Sequence, residues 1–192
     1  MENILVKLMS ELTPLTEEEK FDIEESFPIK TFLKGSFLLK EGRIAKDAYY
    51  VIEGLIREYE LLDGEEKTTA FYAEGQAAAN FHSIASGTPS KRYFLCEEDT
   101  TVAIVNTDKE QKLYKKYPRF ESYCRKGMEE MLGAELEEIT DFVSMKPEER
   151  YLNFITNRPG LINRVPQYHI ASYLGIKPET LSRIRKRVVT KK

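Results

Sequence analysis

The run Val165-Pro-Gln-Tyr-His-Ile-Ala-Ser-Tyr-Leu-Gly-Ile-Lys-Pro-Glu-Thr-Leu-Ser-Arg-Ile-Arg-Lys-Arg-Val-Val189 decides how the chain is read. In its first half Ile170, Ala171 and Leu174 fall at helical spacing. Gly175 follows at the place where a helix ends in a left-handed residue, a conformation that only glycine adopts cheaply. Ile176 then points back to the core, and Pro178 opens a second helix where its missing N–H costs nothing. Leu181, Ile184 and Val188 supply that helix's buried stripe, and Ala171 is small enough to let the two helices cross closely. The pattern predicts two short helices joined by a tight turn, a helix-turn-helix.

An ordinary helical hairpin would show the same Ile/Leu/Gly pattern but would not need the polar residues beside it. Lys177, Glu179, Thr180, Ser182, Arg183, Lys186 and Arg187 bring together groups suited to base edges and to phosphates. They are the candidate DNA-binding residues, with the second helix in the major groove of double-stranded DNA. Glu179 and Arg183, four apart, project from one face. Arginine's fork matches the two major-groove acceptors of guanine, and a carboxylate accepts from the cytosine amino group, so G·C-containing steps are the expected target. Thr180 and Ser182 are expected to make secondary base or phosphate contacts, and Lys177, Lys186 and Arg187 to meet phosphates. Lys177 stands where a Ser/Thr N-cap is expected, which predicts fraying at the start of this helix.

Charge agrees with that assignment once it is mapped. The chain has 192 residues and a net charge of −3. From Lys146 onward, however, eleven Lys/Arg face three acids, while the preceding part carries 18 bases and 29 acids. A basic C-terminal module on an acidic body is the footprint of a phosphate-binding end. At 41% hydrophobic and 32% charged residues the composition is globular. No apolar run approaches the roughly 20 residues that span a bilayer, and the first residues lack a signal peptide's apolar core. The expected location is cytoplasmic, with no membrane partner. Cys96 and Cys124 form no disulfide framework and no metal-ligand spacing, so no metal site and no cofactor is evident.

Upstream, the pattern divides into three stretches. Leu5, Leu8, Met9 and Leu12 mark a first helix, and Thr16-Glu-Glu-Glu has the capping pattern of a second. From Lys30 to about Asp108 the period shortens to that of strands. Turn signals at Lys34-Gly35, Glu41-Gly42, Glu53-Gly54, Asp63-Gly64 and Glu74-Gly75 separate them, and Asp63-Gly64 reads as a hairpin. Many short strands at regular spacing imply a barrel, sandwich or roll. A long helix follows, starting at Lys109 or at Pro118 and reaching Ser144. Its seam of Phe120, Cys124, Met128, Met131, Leu132, Leu136, Ile139 and Val143 is longer than one small domain requires, and suits a dimer interface. A core helix of a single protomer is the alternative. Lys146-Pro147 breaks the helix, giving expected domains of 1–145, with the dimerisation helix at about 118–144, and 146–192.

In this order the pieces make an α+β chain that resembles a bacterial Crp/Fnr-type transcription regulator over nearly its whole length. The resemblance rests on Leu33-Lys-Gly-Ser-Phe-Leu-Leu-Lys-Glu-Gly42, Tyr49-Tyr-Val-Ile-Glu-Gly-Leu-Ile-Arg57, Phe71-Tyr-Ala-Glu-Gly75, Glu148-Glu-Arg-Tyr-Leu152 and Ile170 to Arg183. The family's recognition helix carries Glu-x-x-Ser-Arg, which stands here as Glu179-Thr-Leu-Ser182-Arg183. The resemblance implies N-terminal helices and an antiparallel, cyclic-nucleotide-binding-like β-roll, a long dimerisation helix and a winged-helix-like helix-turn-helix domain. It implies a homodimer on a palindromic operator with a TGA-like core in each half-site, and contact with RNA polymerase if the protein activates.

The effector site departs from the family. Members that bind cyclic AMP hold it with a Gly-Glu pair and, about ten residues later, an Arg-Ser pair. Here Ala79 and Asn80 stand at the first pair and Ser90 and Lys91 at the second, so the ribose-binding carboxylate and the phosphate-binding guanidinium are missing. With Arg92 these residues are the candidate effector pocket, and Lys91 or Arg92 could supply charge to another anion. The effector is unknown, and cyclic AMP in the usual mode is not expected. The family's iron–sulfur sensors use an N-terminal cysteine cluster, absent from residues 1–30. A haem needs axial ligands, and the roll offers only His82 and Cys96 as conventional ones; a lone histidine near an alanine-rich helix is more often structural. Cys124 as a redox switch competes with its reading as a small core residue.

Two other function classes make different demands on the same residues. A ligand-binding module acting through protein contacts would keep the roll but have no use for the face bearing Glu179 and Arg183. An enzyme is not expected, because the chain has two histidines and no nucleophile elbow, phosphate loop or metal-spaced cluster.

Overall fold

The computed structural model describes residues 3–190. Helix α1 (Ile4–Leu12) begins at Asn3, whose side chain accepts from Leu5 N at 2.9 Å and donates to the Phe27 carbonyl at 3.1 Å. Helix α2 (Glu17–Ser26) opens on the box expected from Thr16-Glu-Glu-Glu: Thr16 N donates to the Glu19 carboxylate and Glu19 N to the Thr16 hydroxyl. Eight strands follow: β1 (Ile29–Phe32), β2 (Phe37–Leu39), β3 (Asp47–Glu53), β4 (Ile56–Leu62), β5 (Glu65–Tyr72), β6 (Ala77–Ala78), β7 (Tyr93–Cys96) and β8 (Thr100–Asn106). A short helix α3 (Phe81–Ser86) lies between β6 and β7. The sheets are ordered β1-β8-β3-β6 and β2-β7-β4-β5, and the β1–β8, β3–β8, β3–β6, β2–β7 and β4–β7 pairings are antiparallel.

Alternation along the strands sends Leu39, Val51, Ile56, Phe94 and Val102 into one buried cluster drawn from both sheets. Each such side chain stabilises the roll by about 1.5–3 kcal/mol relative to exposure. At the β4–β5 connection Asp63 and Gly64 both take positive φ, 53° and 83°, the requirement of a two-residue hairpin turn. Two charges are buried within the roll and are paired as burial demands. Arg57 of β4, 2% exposed, is paired with Glu97 and lies 4.4 Å from the Tyr59 ring.

The long helical stretch is two helices, α4 (Thr107–Lys116) and α5 (Pro118–Ser144). Pro118 cannot continue α4, so the chain breaks at Tyr117, whose N–H still reaches Leu113 O at 2.8 Å. Helices α6 (Pro147–Asn157), α7 (Gln167–Tyr173) and α8 (Pro178–Thr190) complete the chain. Between α6 and α7, residues 159–163 form a 3-10 helix, and no strand occurs between residues 146 and 190.

The chain resolves into two compact units. One unit runs up to Glu60 and resumes over Phe71–Met128; the other joins Leu61–Ala70 to the chain from Glu129 onward. The β4–β5 hairpin tip belongs to the second unit because Thr68, 3% exposed, donates its backbone N–H to the Ser172 hydroxyl of α7 at 3.0 Å. In the first unit Val6, Ile23, Phe27, Leu113 and Phe120 form a second buried cluster that ties α1 and α2 to α4 and the start of α5.

An ion pair spans that cluster's edge. Burial pushes the Glu19 carboxyl up, but the Thr16 N–H, the Arg119 guanidinium at 2.7 Å and the Thr16 hydroxyl outweigh it and hold the group below its ordinary value of 4.5. A carboxyl lowered by folding contributes stability above its unfolded value, and the contribution disappears as pH falls through the folded one. We predict that the stability difference between wild type and Glu19→Gln is largest at neutral pH and narrows below pH 4.5. Urea unfolding across pH tests this, and a gap that does not change with pH would exclude the Glu19 charge as its source.

Candidate nucleic-acid interface

Helix α7 ends as its glycine requires. Gly175 has φ of 68°, its N–H donates to Ser172 O at 3.1 Å, and the Ile176 N–H donates to Ala171 O at 3.0 Å. These two bonds make a Schellman turn, which satisfies carbonyls that the end of a helix leaves without partners. Lys177 O then accepts from Thr180 N at 2.9 Å and Leu181 N at 3.1 Å, so α8 starts on backbone bonds rather than on a side-chain cap. Ile170, Ala171, Leu174, Leu181 and Ile184 are at most 1% exposed, which locks α8 against α7 at close range.

Arg150 of α6 completes this joint, a role that sequence reading did not assign. Its Nε donates to Phe142 O in the last turn of α5 at 3.0 Å, and its Nη1 to Leu174 O at the end of α7 at 3.2 Å. The guanidinium also lies 4.4 Å from the Phe142 ring centre. One cation thereby neutralises the negative ends of two helices. It stands within Glu148-Glu-Arg-Tyr-Leu152, but no local pattern reveals carbonyl partners 8 and 24 residues away.

Of the predicted DNA-binding residues, Lys177, Glu179, Ser182, Arg183, Lys186 and Arg187 are exposed and Thr180 is half-buried. Glu179, Ser182, Arg183 and Lys186 lie at i, i+3, i+4 and i+7 on the side of α8 opposite Leu181 and Ile184. Arg183 Nη2 donates to Thr180 Oγ1 at 3.2 Å, which orients the guanidinium along the helix. Arg187 lies beside this row and pairs with Glu148 of α6 at 3.1 Å, so it braces α8 as well as carrying charge. The pair is largely exposed and contributes at most about 1 kcal/mol.

The apolar seam of α5 expected at a dimer interface divides into two parts. Phe120 is 1% exposed inside the cluster of its own protomer, so its place in the seam is corrected to the core. Cys124 and Met131 are half-buried. Burial pushes the Cys124 thiol up, with the Tyr114 hydroxyl opposing, so it is a protonated thiol rather than a reactive thiolate. Met128, Leu132, Leu136, Ile139 and Val143 are 47%, 55%, 56%, 59% and 73% exposed, and from Leu132 onward their spacing is 4, 3 and 4. That is the heptad spacing of a helix whose stripe faces another helix.

The effector cassette is closed by its own side chains. Asn80 caps α3 by accepting from Ser83 N at 3.1 Å, and its Nδ2 donates to Ser90 Oγ at 2.8 Å. Ser90, 3% exposed, donates through Oγ to Arg92 O and accepts from Arg92 N. Arg92 turns to β4, where it pairs with Glu58 and, at 3.5 Å, with Glu60; Tyr72 Oη donates to Glu58 at 2.8 Å. Ala79 is half-buried and Lys91 exposed. Of the conventional haem ligands, His82 is exposed on α3 and Cys96 is buried, its thiol pushed up by burial. A phosphate reaching Ser90 or Arg92 would compete with the Asn80–Ser90 bond and with the Glu58 and Glu60 carboxylates, which weakens the compensation for its lost water. Calorimetry with cyclic AMP is therefore expected to show no saturable micromolar binding, and a micromolar isotherm would overturn this account of the cassette.

Comparison with known proteins agrees with this architecture. Residues 29–117 match the family described as the cyclic nucleotide-binding domain. No match was found among curated proteins. Among solved structures, FixK2 from Bradyrhizobium japonicum is similar with a TM-score of 0.69 at 21% identity, over 86% of this chain and 85% of that one. CLP from Xanthomonas campestris, described as a c-di-GMP responsive global regulator, gives 0.67 at 13% identity, over 92% and 93%. A CooA mutant from Carboxydothermus hydrogenoformans gives 0.64 at 19% identity, over 88% and 79%. Residues 29–117 thus resemble the cyclic nucleotide-binding domain, and the chain shares the fold of FixK2, CLP and CooA.

Proposed function

We propose that the chain is a transcription regulator that binds a palindromic DNA operator as a homodimer, with α8 in the major groove. The observation that carries this reading is the row Glu179, Ser182, Arg183 and Lys186 on the outer side of a helix whose inner side is sealed by Leu181 and Ile184. A helix that only closed a domain would need the inner side alone. The description of CLP as a global regulator of gene expression is in keeping with this reading.

A two-fold operator requires a two-fold protein, with half-sites about one helical turn apart. The exposed stripe from Met128 to Val143 supports pairing of α5 with its copy, which would remove from water a contiguous apolar surface that a monomer leaves open. Arg183 is assigned to guanine and Glu179 to cytosine, Thr180 and Ser182 to secondary contacts, and Lys177, Lys186 and Arg187 to phosphates. A regulator of this kind that activates would also touch RNA polymerase.

Two expected outcomes test the proposal. In binding assays on operators selected from random duplexes, Arg183→Ala should cost about 1–3 kcal/mol and flatten preference at one base pair. Lys186→Ala should weaken all sequences alike and reduce the salt slope. Equal losses on operator and random DNA for Arg183→Ala would make Arg183 a phosphate contact. Independently, Leu132→Asp should convert the dimer to a monomer in sedimentation and abolish specific binding; a Leu132→Asp protein that stays dimeric would remove the stripe from the interface.

A further inference from the structure

Strand β2, the turn after it and the start of β3 border a pocket of about 330 Å³, within the size range of small-molecule sites. It is separate from the cassette, since neither Asn80 nor Ser90 lines it. Its floor is apolar: Leu39, Ala45 and Tyr49 are buried, and the Tyr49 hydroxyl is spent on the Leu38 carbonyl at 2.9 Å. Burial, with the Asp47 charge nearby, pushes that phenol up to about 12, so it presents no charge. Phe37 and Ile44 stand at the rim, 40% and 49% exposed.

Three cations line the same pocket, Lys40, Arg43 and Lys46, against one carboxylate. That carboxylate, Asp47, already accepts from Asn106 Nδ2 at 2.6 Å. Glu41, between Lys40 and Arg43 in sequence, is drawn away and accepts from Tyr93 Oη at 3.1 Å. The turn is held in place: Arg43 N donates to Lys40 O at 3.2 Å, Gly42 N to Ser90 O at 2.9 Å, and Ser90 N to Arg43 O at 2.8 Å. Lys40 Nζ rests 4.4 Å from the centre of the Phe37 ring. Such a concentration of positive charge is not inherited from composition, because the chain before Lys146 carries 18 bases and 29 acids.

We propose that this pocket binds a small organic anion with an apolar body. Its acid group meets Lys40, Arg43 and Lys46, and its chain or ring lies against Phe37 and Ile44 over the closed floor. Charge-assisted bonds at a rim and hydrophobic contact below it select for both parts of such a molecule together. The site does not depend on the DNA-binding reading.

The test is a titration of the isotopically labelled full chain, followed by amide chemical shifts, with octanoate, phenyl phosphate, octanol and inorganic phosphate as probes. At least one of octanoate and phenyl phosphate should shift amides between Phe37 and Tyr49 saturably, and which of them binds tighter tells carboxylate from phosphate ester. Octanol and inorganic phosphate should each need at least about tenfold higher concentration. The double variant Lys40→Glu with Arg43→Glu, and the milder Arg43→Gln, should weaken the shifting probe, the double variant by about tenfold or more. The proposal is overturned if neither amphiphilic anion shifts this segment, if inorganic phosphate binds as well as they do, or if both variants bind unchanged.

Discussion

Two helices end at one guanidinium. Arg150 donates to carbonyls at the close of both α5 and α7. An α-helix leaves its last carbonyls without internal partners, and a helix end packed against other elements cannot rely on water for all of them. Because the Leu174 carbonyl is held in place, the left-handed step at Gly175 follows at a defined point, and α8 leaves the turn in a defined direction. The outer row of α8 inherits its placement from that joint. A polar contact thus sets the geometry on which the apolar packing of Ile170, Leu174, Leu181 and Ile184 then closes.

The β-roll follows the opposite economy. Its polar side chains are paired with one another: Asn80 with Ser90, Arg92 with Glu58 and Glu60, Arg57 with Glu97. Buried polar groups favour a fold only when satisfied, so this pairing stabilises the roll while engaging Asn80, Ser90 and Arg92 with one another or with carboxylates. The cations around the pocket beside β2 differ in this respect. Lys40 and Arg43 sit at the ends of a turn whose backbone is anchored, with the neighbouring acid Glu41 engaged elsewhere.

Helix α5 shows why a periodic stripe is an incomplete statement. Phe120 and Leu132 belong to one seam by spacing, yet Phe120 is sealed against Val6, Ile23 and Leu113, whereas Leu132 is 55% exposed. Periodicity reports which residues share a face. It carries no information on whether the same chain or another surface covers that face, because the covering residues come from α1, α2 and α4 for one end only.

What the sequence by itself determined is the local chemistry. The Gly175 turn, the Thr16–Glu19 box, the Asp63-Gly64 hairpin and the polar row of α8 all rest on bonds or steric limits within a few residues, where residue type alone selects the conformation. The resemblance carried by Glu179, Ser182 and Arg183 placed these pieces in a known order. Tertiary structure alone decided the partners at long range. By identity Arg92 is a charge available to a ligand, but it meets Glu58, 34 residues away. Arg187 was read as a phosphate contact and braces α6 through Glu148, and Thr68 joins the hairpin tip to Ser172 across 104 residues. A side chain's charge is written in its identity, whereas the group that neutralises it depends on which distant segments the folded backbone brings within about 3 Å.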